Sequence, residues 1–193
     1  MITESPRRPL RVLFLCTGNS ARSQIAEALM NAKARGRFEA ESAGSHPAAR
    51  VNPFAIEALR QAGIEWSGHA PRNVDGLVGQ QWDFVITVCD RAKESCPILP
   101  GHPVHAHWGM EDPAEVEGTD AEKRQAFLVA CQLIARRIDL MLALPIEKLE
   151  RFALEQRLRA IAGATDSGSA TSQPTSGNLP GEAGASANTP APA

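Results

Sequence analysis

The run Leu10-Arg11-Val12-Leu13-Phe14-Leu15 is close to continuously apolar. It leads through Cys16-Thr17-Gly18-Asn19-Ser20-Ala21-Arg22-Ser23 into Gln24-Ile25-Ala26-Glu27-Ala28-Leu29-Met30, which has helical spacing. A strand buried on both faces reads this way, and strand, loop and helix in that order belong to a parallel sheet covered by helices. The alternation continues down the chain. Residues 38–44 predict a second strand, 53–63 a helix opened by Pro53 and closed by Gly63, 83–88 a third strand, 102–107 a fourth, and 121–144 a long helix. Thr119 and Glu122 stand at capping-box spacing ahead of that helix. Its residues Phe127, Cys131, Ile134, Ile138 and Met141 recur at steps of three and four, the face expected to meet the sheet, so Cys131 reads as a core thiol. The expected fold class is α/β, a three-layer, four-stranded parallel sheet flanked by helices.

Chemistry concentrates at the first junction. Cys16 and Arg22 bracket a loop in which Gly18, Asn19 and Ser20 suit tight turns, with a hydroxyl following at Ser23. Backbone N–H groups without intrahelical partners converge at a helix start, and with the helix dipole they favour a tetrahedral anion. Arg22 adds a planar fork for two of the anion's oxygens. The same field is expected to lower the Cys16 pKa and favour a nucleophilic thiolate. Thr17, Gly18, Asn19, Ser20, Ala21, Arg22 and Ser23 are therefore read as an oxyanion-binding set around a thiol. A cysteine alone would more simply be a small hydrophobe at a strand end, and it is the whole set that argues otherwise.

This loop, with Asp112-Pro113 far downstream, resembles the low-molecular-weight protein tyrosine phosphatase fold, whose signature is a Cys-x5-Arg-Ser loop and a later Asp-Pro. The resemblance spans residues 10–145. It implies that Asp112 is a general acid; alone, Asp112 would read as a turn residue before proline, with Glu111 a neighbouring competitor.

A second cluster follows the third predicted strand, with Cys89 and Cys96 seven residues apart. Hydrolysis has no use for these thiols. Reduction of a tetrahedral oxyanion takes two electrons, which two thiols deliver by becoming a disulfide. Ligands of open α/β sheets bind beyond the carboxyl ends of the strands, where Cys16 and Cys89 both fall. The pair resembles thioredoxin-coupled arsenate reductases built on the same fold. That resemblance implies attack of Cys16 on arsenic(V) and protonation of the departing oxygen by Asp112. Cys89 then attacks Cys16 as arsenite leaves, and Cys96 resolves the disulfide, which thioredoxin or glutaredoxin resets. If residues 89–96 were one regular helix, their ends would lie about 10.5 Å apart along the axis. A disulfide tolerates about 7 Å between alpha carbons, so the relay requires this segment to be irregular or to unwind.

Relatives that select phosphotyrosine carry aromatic residues just after the Asp-Pro, whereas this chain has Ala114 there and no tyrosine anywhere, which favours a small inorganic substrate. Some reductases of this type carry a cysteine before the loop arginine; here Ala21 stands in its place. Some relatives bind potassium through residues matching Asn19, Glu27 and Ser42 plus an acidic side chain. Arg72 falls at the acidic position, and a fixed cation there implies no potassium requirement.

With 193 residues and a net charge of -2, the chain suits one active domain and names neither nucleic acid nor an anionic membrane as a partner. The N-terminal apolar run is short and interrupted by Arg11, without a small-residue cleavage site, and four cysteines suit thiol chemistry better than a disulfide framework. A cytoplasmic monomer without metal or cofactor is expected. Its domain would span residues 9–145, followed by a further helix over 146–162 and a disordered tail over 163–193 rich in Gly, Ala, Ser, Thr and Pro. Two rivals remain. One is a phosphatase hydrolysing phosphate monoesters through a Cys16 phosphocysteine. The other is a zinc module using Cys89, Cys96, His102, His105 and His107, whose spacing fits no common closed site.

Overall fold

The computed structural model describes residues 8–90 and 99–166. Its centre is a four-stranded sheet of β1 (Leu10–Cys16), β2 (Phe38–Gly44), β3 (Phe84–Thr87) and β4 (Val104–His107), in the order β2-β1-β3-β4. All pairings are parallel, with Leu10 opposite Phe38, Val12 opposite Phe84 and Phe84 opposite Val104. The helices are α1 (Arg22–Lys33), α2 (Pro53–Gln61), α3 (Asp120–Leu142) and α4 (Arg151–Asp166).

Alternation along β1 divides the core in two. Val12 and Phe14 face a large cluster with Ile25 and Leu29 of α1, Leu59 of α2, Ile134 and Ile138 of α3, and Leu158 of α4. Leu13 and Leu15 face a smaller one with Val74, Leu77, Trp82, Val85 and Leu99. The sheet is thus buried on both faces, which accounts for the apolar sequence of β1. Among the described residues the third layer is built from the 3-10 turn Val74–Leu77 and the side chains beside it. Arg11, the one charge in β1, lays its guanidinium 4.1 Å from the centroid of the Trp82 ring and pairs with Glu41 at 2.6 Å.

The five residues expected on the inner face of α3 are all buried. Thr119 and Glu122 form the capping box, the Thr119 amide donating to Glu122 Oε2 at 2.7 Å. Several boundaries differ from expectation, two of them by enough to matter. His102 sits at φ 51° and Pro103 has no N–H for the ladder, so β4 begins only at Val104. The chain after Pro145 makes a 3-10 turn, Ile146–Lys148, and the helix expected over 146–162 starts at Arg151 and continues to Asp166. Leu154, Leu158 and Ile161 of α4 are buried in the main core, while Phe152 is 72% exposed. No helix among the described residues is long and apolar enough to cross a membrane. Cys96, the 89–96 segment beyond Asp90, and residues 167–193 of the expected tail lie outside the described residues.

Candidate active site

The loop from Cys16 to Arg22 runs from the end of β1 into α1, and its shape is set from outside. The carbonyls of Cys16, Thr17, Gly18 and Ser20 accept from the amides of Ser45, His46, Ala48 and Asn52 at 3.3, 2.9, 2.9 and 2.8 Å. A trans peptide points its N–H opposite its carbonyl, so this strap turns the amides of residues 17, 18, 19 and 21 towards the Cys16 side. The Asn19 amide shows the result, donating to Cys16 Sγ at 3.1 Å.

Asn19 is the internal brace. It is fully buried and adopts a left-handed conformation, φ 47°, which asparagine tolerates better than most residues. Its Nδ2 donates to Ser23 Oγ at 2.9 Å and Ser42 Oγ at 2.8 Å, and its Oδ1 accepts from the Arg72 amide at 3.0 Å. Ser42 in turn donates to Glu27 Oε2 at 2.6 Å, and His69 Nε2 lies 3.1 Å from the same oxygen. Arg72 donates to the Ser42 carbonyl at 3.0 Å and to Glu41 Oε2 at 2.7 Å. The polar atoms around Asn19, Glu27 and Ser42 are thus engaged by one another, by the His69 ring and by the amide and guanidinium of Arg72, a poor fit to a potassium ion.

Gly44, at the end of β2, was not singled out by sequence. A Cβ there would stand 2.4 Å from the Thr17 carbonyl and 3.0 Å from the Asn19 amide, so only glycine lets the loop rest on the strand end. A glycine closing a strand was the available signal. Gln24, also missed, is buried and donates to the His69 carbonyl at 2.9 Å, holding the 69–72 stretch against α1.

Cys16 Sγ lies 2.9 Å from Ser23 Oγ. Burial pushes the Cys16 thiol up; the Ser23 hydroxyl, the Asn19 amide and the Arg22 guanidinium oppose this, Cys89 adds to it, and the rise prevails. The expected lowering of the Cys16 pKa is therefore corrected: the loop's donors do not outweigh desolvation of the thiolate. Cys89, also buried, follows the end of β3 with its Sγ 3.5 Å from Thr17 Oγ1, so the second thiol adjoins the oxyanion loop. Cys131 is buried within the main core, its Sγ donating to the Ala58 carbonyl of α2 at 3.9 Å.

Arg22 and Asp112 meet across the site although ninety residues apart. Arg22 Nη2 pairs with Asp112 Oδ2, Nη1 donates to the Met110 carbonyl at 2.9 Å, and the Arg22 side chain is only 7% exposed. Asp112 Oδ1 accepts from the Ala114 amide at 3.1 Å, capping a short 3-10 turn, so Asp112 is a turn residue and a partner of Arg22 at once. Glu111 is exposed. An open cleft of about 390 Å³ along the chain after β4 is lined by Asp90, His107, Gly109, Met110, Glu111 and Ala162. His107, one of the histidines weighed as a zinc ligand, instead bridges Thr87 Oγ1 and Asp90 Oδ1, at 2.8 Å each. Among the described residues no three His, Cys, Asp or Glu side chains cluster to hold a metal.

An arsenate reductase of Halalkalibacterium halodurans is 39% identical over 127 residues, 66% of this chain and 91% of its own length. The structure of an arsenate reductase from Archaeoglobus fulgidus matches with a TM-score of 0.52 at 33% identity, over 66% of this chain and 98% of its own. A low molecular weight protein tyrosine phosphatase from T. tengcongensis matches with a TM-score of 0.56 at 27% identity, over 72% and 99%. Residues 11–151 match the low molecular weight phosphotyrosine protein phosphatase family, and with the loop, the Arg22–Asp112 pair and the sheet order in place, the chain belongs to that family.

Proposed function

We propose that this protein reduces arsenate to arsenite. The observation that carries the reading is the second thiol: Cys89 is buried beside the oxyanion loop, within 3.5 Å of Thr17 Oγ1, where hydrolysis would have no need of it. The arsenate reductases among its relatives support the same reading.

In the proposed cycle the loop amides and Arg22 bind the oxyanion, and Arg22 exchanges Asp112 for the anion as it does so. Cys16 attacks arsenic(V) while Asp112 protonates the departing oxygen, which leaves as water. The Cys16 thiol gives up its proton as it attacks, and the buried oxyanion beside it is a base for that proton. Cys89 then attacks Cys16 Sγ. A sulfur–sulfur bond forms, the sulfur–arsenic bond breaks, and its electron pair departs on arsenic, now arsenic(III). Cys96 attacks Cys89, releasing Cys16 and leaving a Cys89–Cys96 disulfide for thioredoxin or glutaredoxin. The protein is proposed to work as a monomer in a reducing cytoplasm.

NADPH oxidation with thioredoxin, thioredoxin reductase and arsenate tests the reading. Turnover that requires arsenate and disappears in Cys89→Ser is expected. Arsenate-independent rates, or a fully active Cys89→Ser, would overturn it. The second reading, hydrolysis of phosphate monoesters through a Cys16 phosphocysteine, is favoured by the phosphatase relatives and uses the same loop. Some such activity is expected even of a reductase, since the loop presents the same donors to a phosphoryl group.

A further inference from the structure

Arg137 lies on α3 with its side chain fully enclosed, at 0% exposure. A guanidinium withdrawn from water is strongly unfavourable unless its donors are met, and an apolar residue would fill the space more simply. Its Nη1 donates to the carbonyls of Trp108 at 2.7 Å and Gly109 at 3.2 Å, and its Nη2 reaches the Ala162 carbonyl at 3.5 Å. The Trp108 indole donates to the Leu158 carbonyl at 3.1 Å. Two side chains therefore tie the backbone after β4 to α4. The strand ladder ends where His107 stands opposite Thr87, so the next carbonyls need partners of another kind.

This tie lies one residue from the catalytic contacts. Met110 gives its carbonyl to Arg22, and Asp112 pairs with the same guanidinium. The strip is confined from its other side too, because a Cβ on Gly109 would meet His107 Nε2 at 2.5 Å and Asp90 Oδ1 at 2.8 Å. Ala162 of α4 lines the same cleft as Met110 and Glu111. Yet α4 starts at residue 151, where the family match ends.

We propose that α4 is a working part of the active site, and that Arg137, seconded by Trp108, is a positioning residue. It clamps residues 108–109 against α4 and so sets where Asp112 stands relative to the Cys16 loop. The inference rests on the reading of Asp112 as general acid. A displacement of about 1 Å in such a group slows a reaction by about 100-fold, so loosening a clamp of this kind registers in the rate.

Two aryl phosphates separate the possibilities, because a positioned acid matters more for a poor leaving group such as phenol than for 4-nitrophenol. Asp112→Asn, the reference, is expected to slow phenyl phosphate by about 100-fold and 4-nitrophenyl phosphate far less. Arg137→Gln is expected to slow the phenyl ester about tenfold more than the nitrophenyl ester, with KM little changed and partial recovery in Arg137→Lys. Trp108→Phe, which deletes one N–H and keeps an aromatic ring, moves in the same direction by less. If Asp112→Asn slows both alike, the acid assignment fails and the inference falls with it. If the wild type cleaves neither ester, the variants are compared in arsenate turnover, where Arg137→Gln must lower kcat with KM little changed and shift the pH profile in the direction Asp112→Asn does, and an unchanged kcat and profile would overturn the inference. If Asp112→Asn discriminates while Arg137→Gln and Trp108→Phe slow both esters equally or lower only the melting temperature, Asp112 stands and the role of α4 is refuted. Should Arg137→Gln fail to fold, Trp108→Phe decides alone.

Discussion

Replacing Asn19 by alanine separates the two jobs this residue does. Its backbone holds a left-handed φ of 47°, and its side chain meets Ser23, Ser42 and the Arg72 amide from a fully buried position. Forcing alanine into that conformation costs about 1 kcal/mol. Stranding the Arg72 amide costs about 1–3 kcal/mol, and each lost hydroxyl contact about 0.5–1 kcal/mol. The sum is about 3–6 kcal/mol, a third or more of the stability of an ordinary domain. Urea unfolding should show the midpoint falling with its slope unchanged. Asn19→Gly relieves the backbone strain but restores no hydrogen bond, so it should be destabilised about 1 kcal/mol less than Asn19→Ala. Iodoacetamide should also react with Cys16 faster in both variants, because the brace that keeps the thiol buried is gone. An alanine variant within about 1 kcal/mol of wild type, or a glycine variant worse than alanine, would refute the account of the brace.

Gly44→Ala should abolish oxyanion binding and lower stability by about 1–3 kcal/mol, since its Cβ would meet the Thr17 carbonyl at 2.4 Å. Gly76→Ala, with nothing within 4 Å of its added Cβ, should leave phosphate binding by calorimetry unchanged, and equal behaviour of the two would contradict this. Burial pushes the thiols of Cys16 and Cys131 up, against partial relief from neighbouring donors and cations, so the unfolded chain loses these protons first as pH rises. Stability should be fully present below the ordinary thiol pKa of about 8.5 and decline above it, by about 1.4 kcal/mol per pH unit for each thiol. Urea midpoints across the alkaline range should fall less steeply in Cys16→Ser; an equal slope would deny the burial effect. Arsenate turnover should be the same in potassium and sodium chloride at equal ionic strength, because Arg72 already engages Ser42 and Glu41; substantial activation by potassium would contradict it.

β2, the α3 capping box and the buried face of α3 were legible because local pattern decides them: alternation in one case, side-chain to backbone reach in another, helical period in the third. The loop, Arg22 and Asp112 were legible as a paired signature, and the structure brings the two ends of that signature into one ion pair. Elsewhere tertiary contacts overrule local pattern. α4 begins at Arg151, whose guanidinium donates to the carbonyls of His102 and, at 2.8 Å, Pro103, a contact with the β4 entry that no local sequence signal encodes. α2 stops at Gln61 rather than Gly63 because Gly63, at φ 76°, makes the turn beyond the helix, with Ile64 donating back to the Leu59 carbonyl at 2.9 Å. The direction of the Cys16 pKa was misread because the loop's donors are visible in the sequence and the depth of the thiol is not. Gly44, the 45–52 strap and Arg137 act through partners that only the fold brings near.

The central claim is that electrons pass to arsenic from the Cys16–Cys89 pair. Cys96→Ser protein, reduced, freed of reductant, treated with arsenate and then alkylated, tests it by peptide mass and by arsenite released. The account predicts one arsenite per chain and a Cys16–Cys89 disulfide, with Cys131 alkylated after unfolding. Absence of arsenite, with Cys16 and Cys89 both recovered as alkylated thiols, would contradict it.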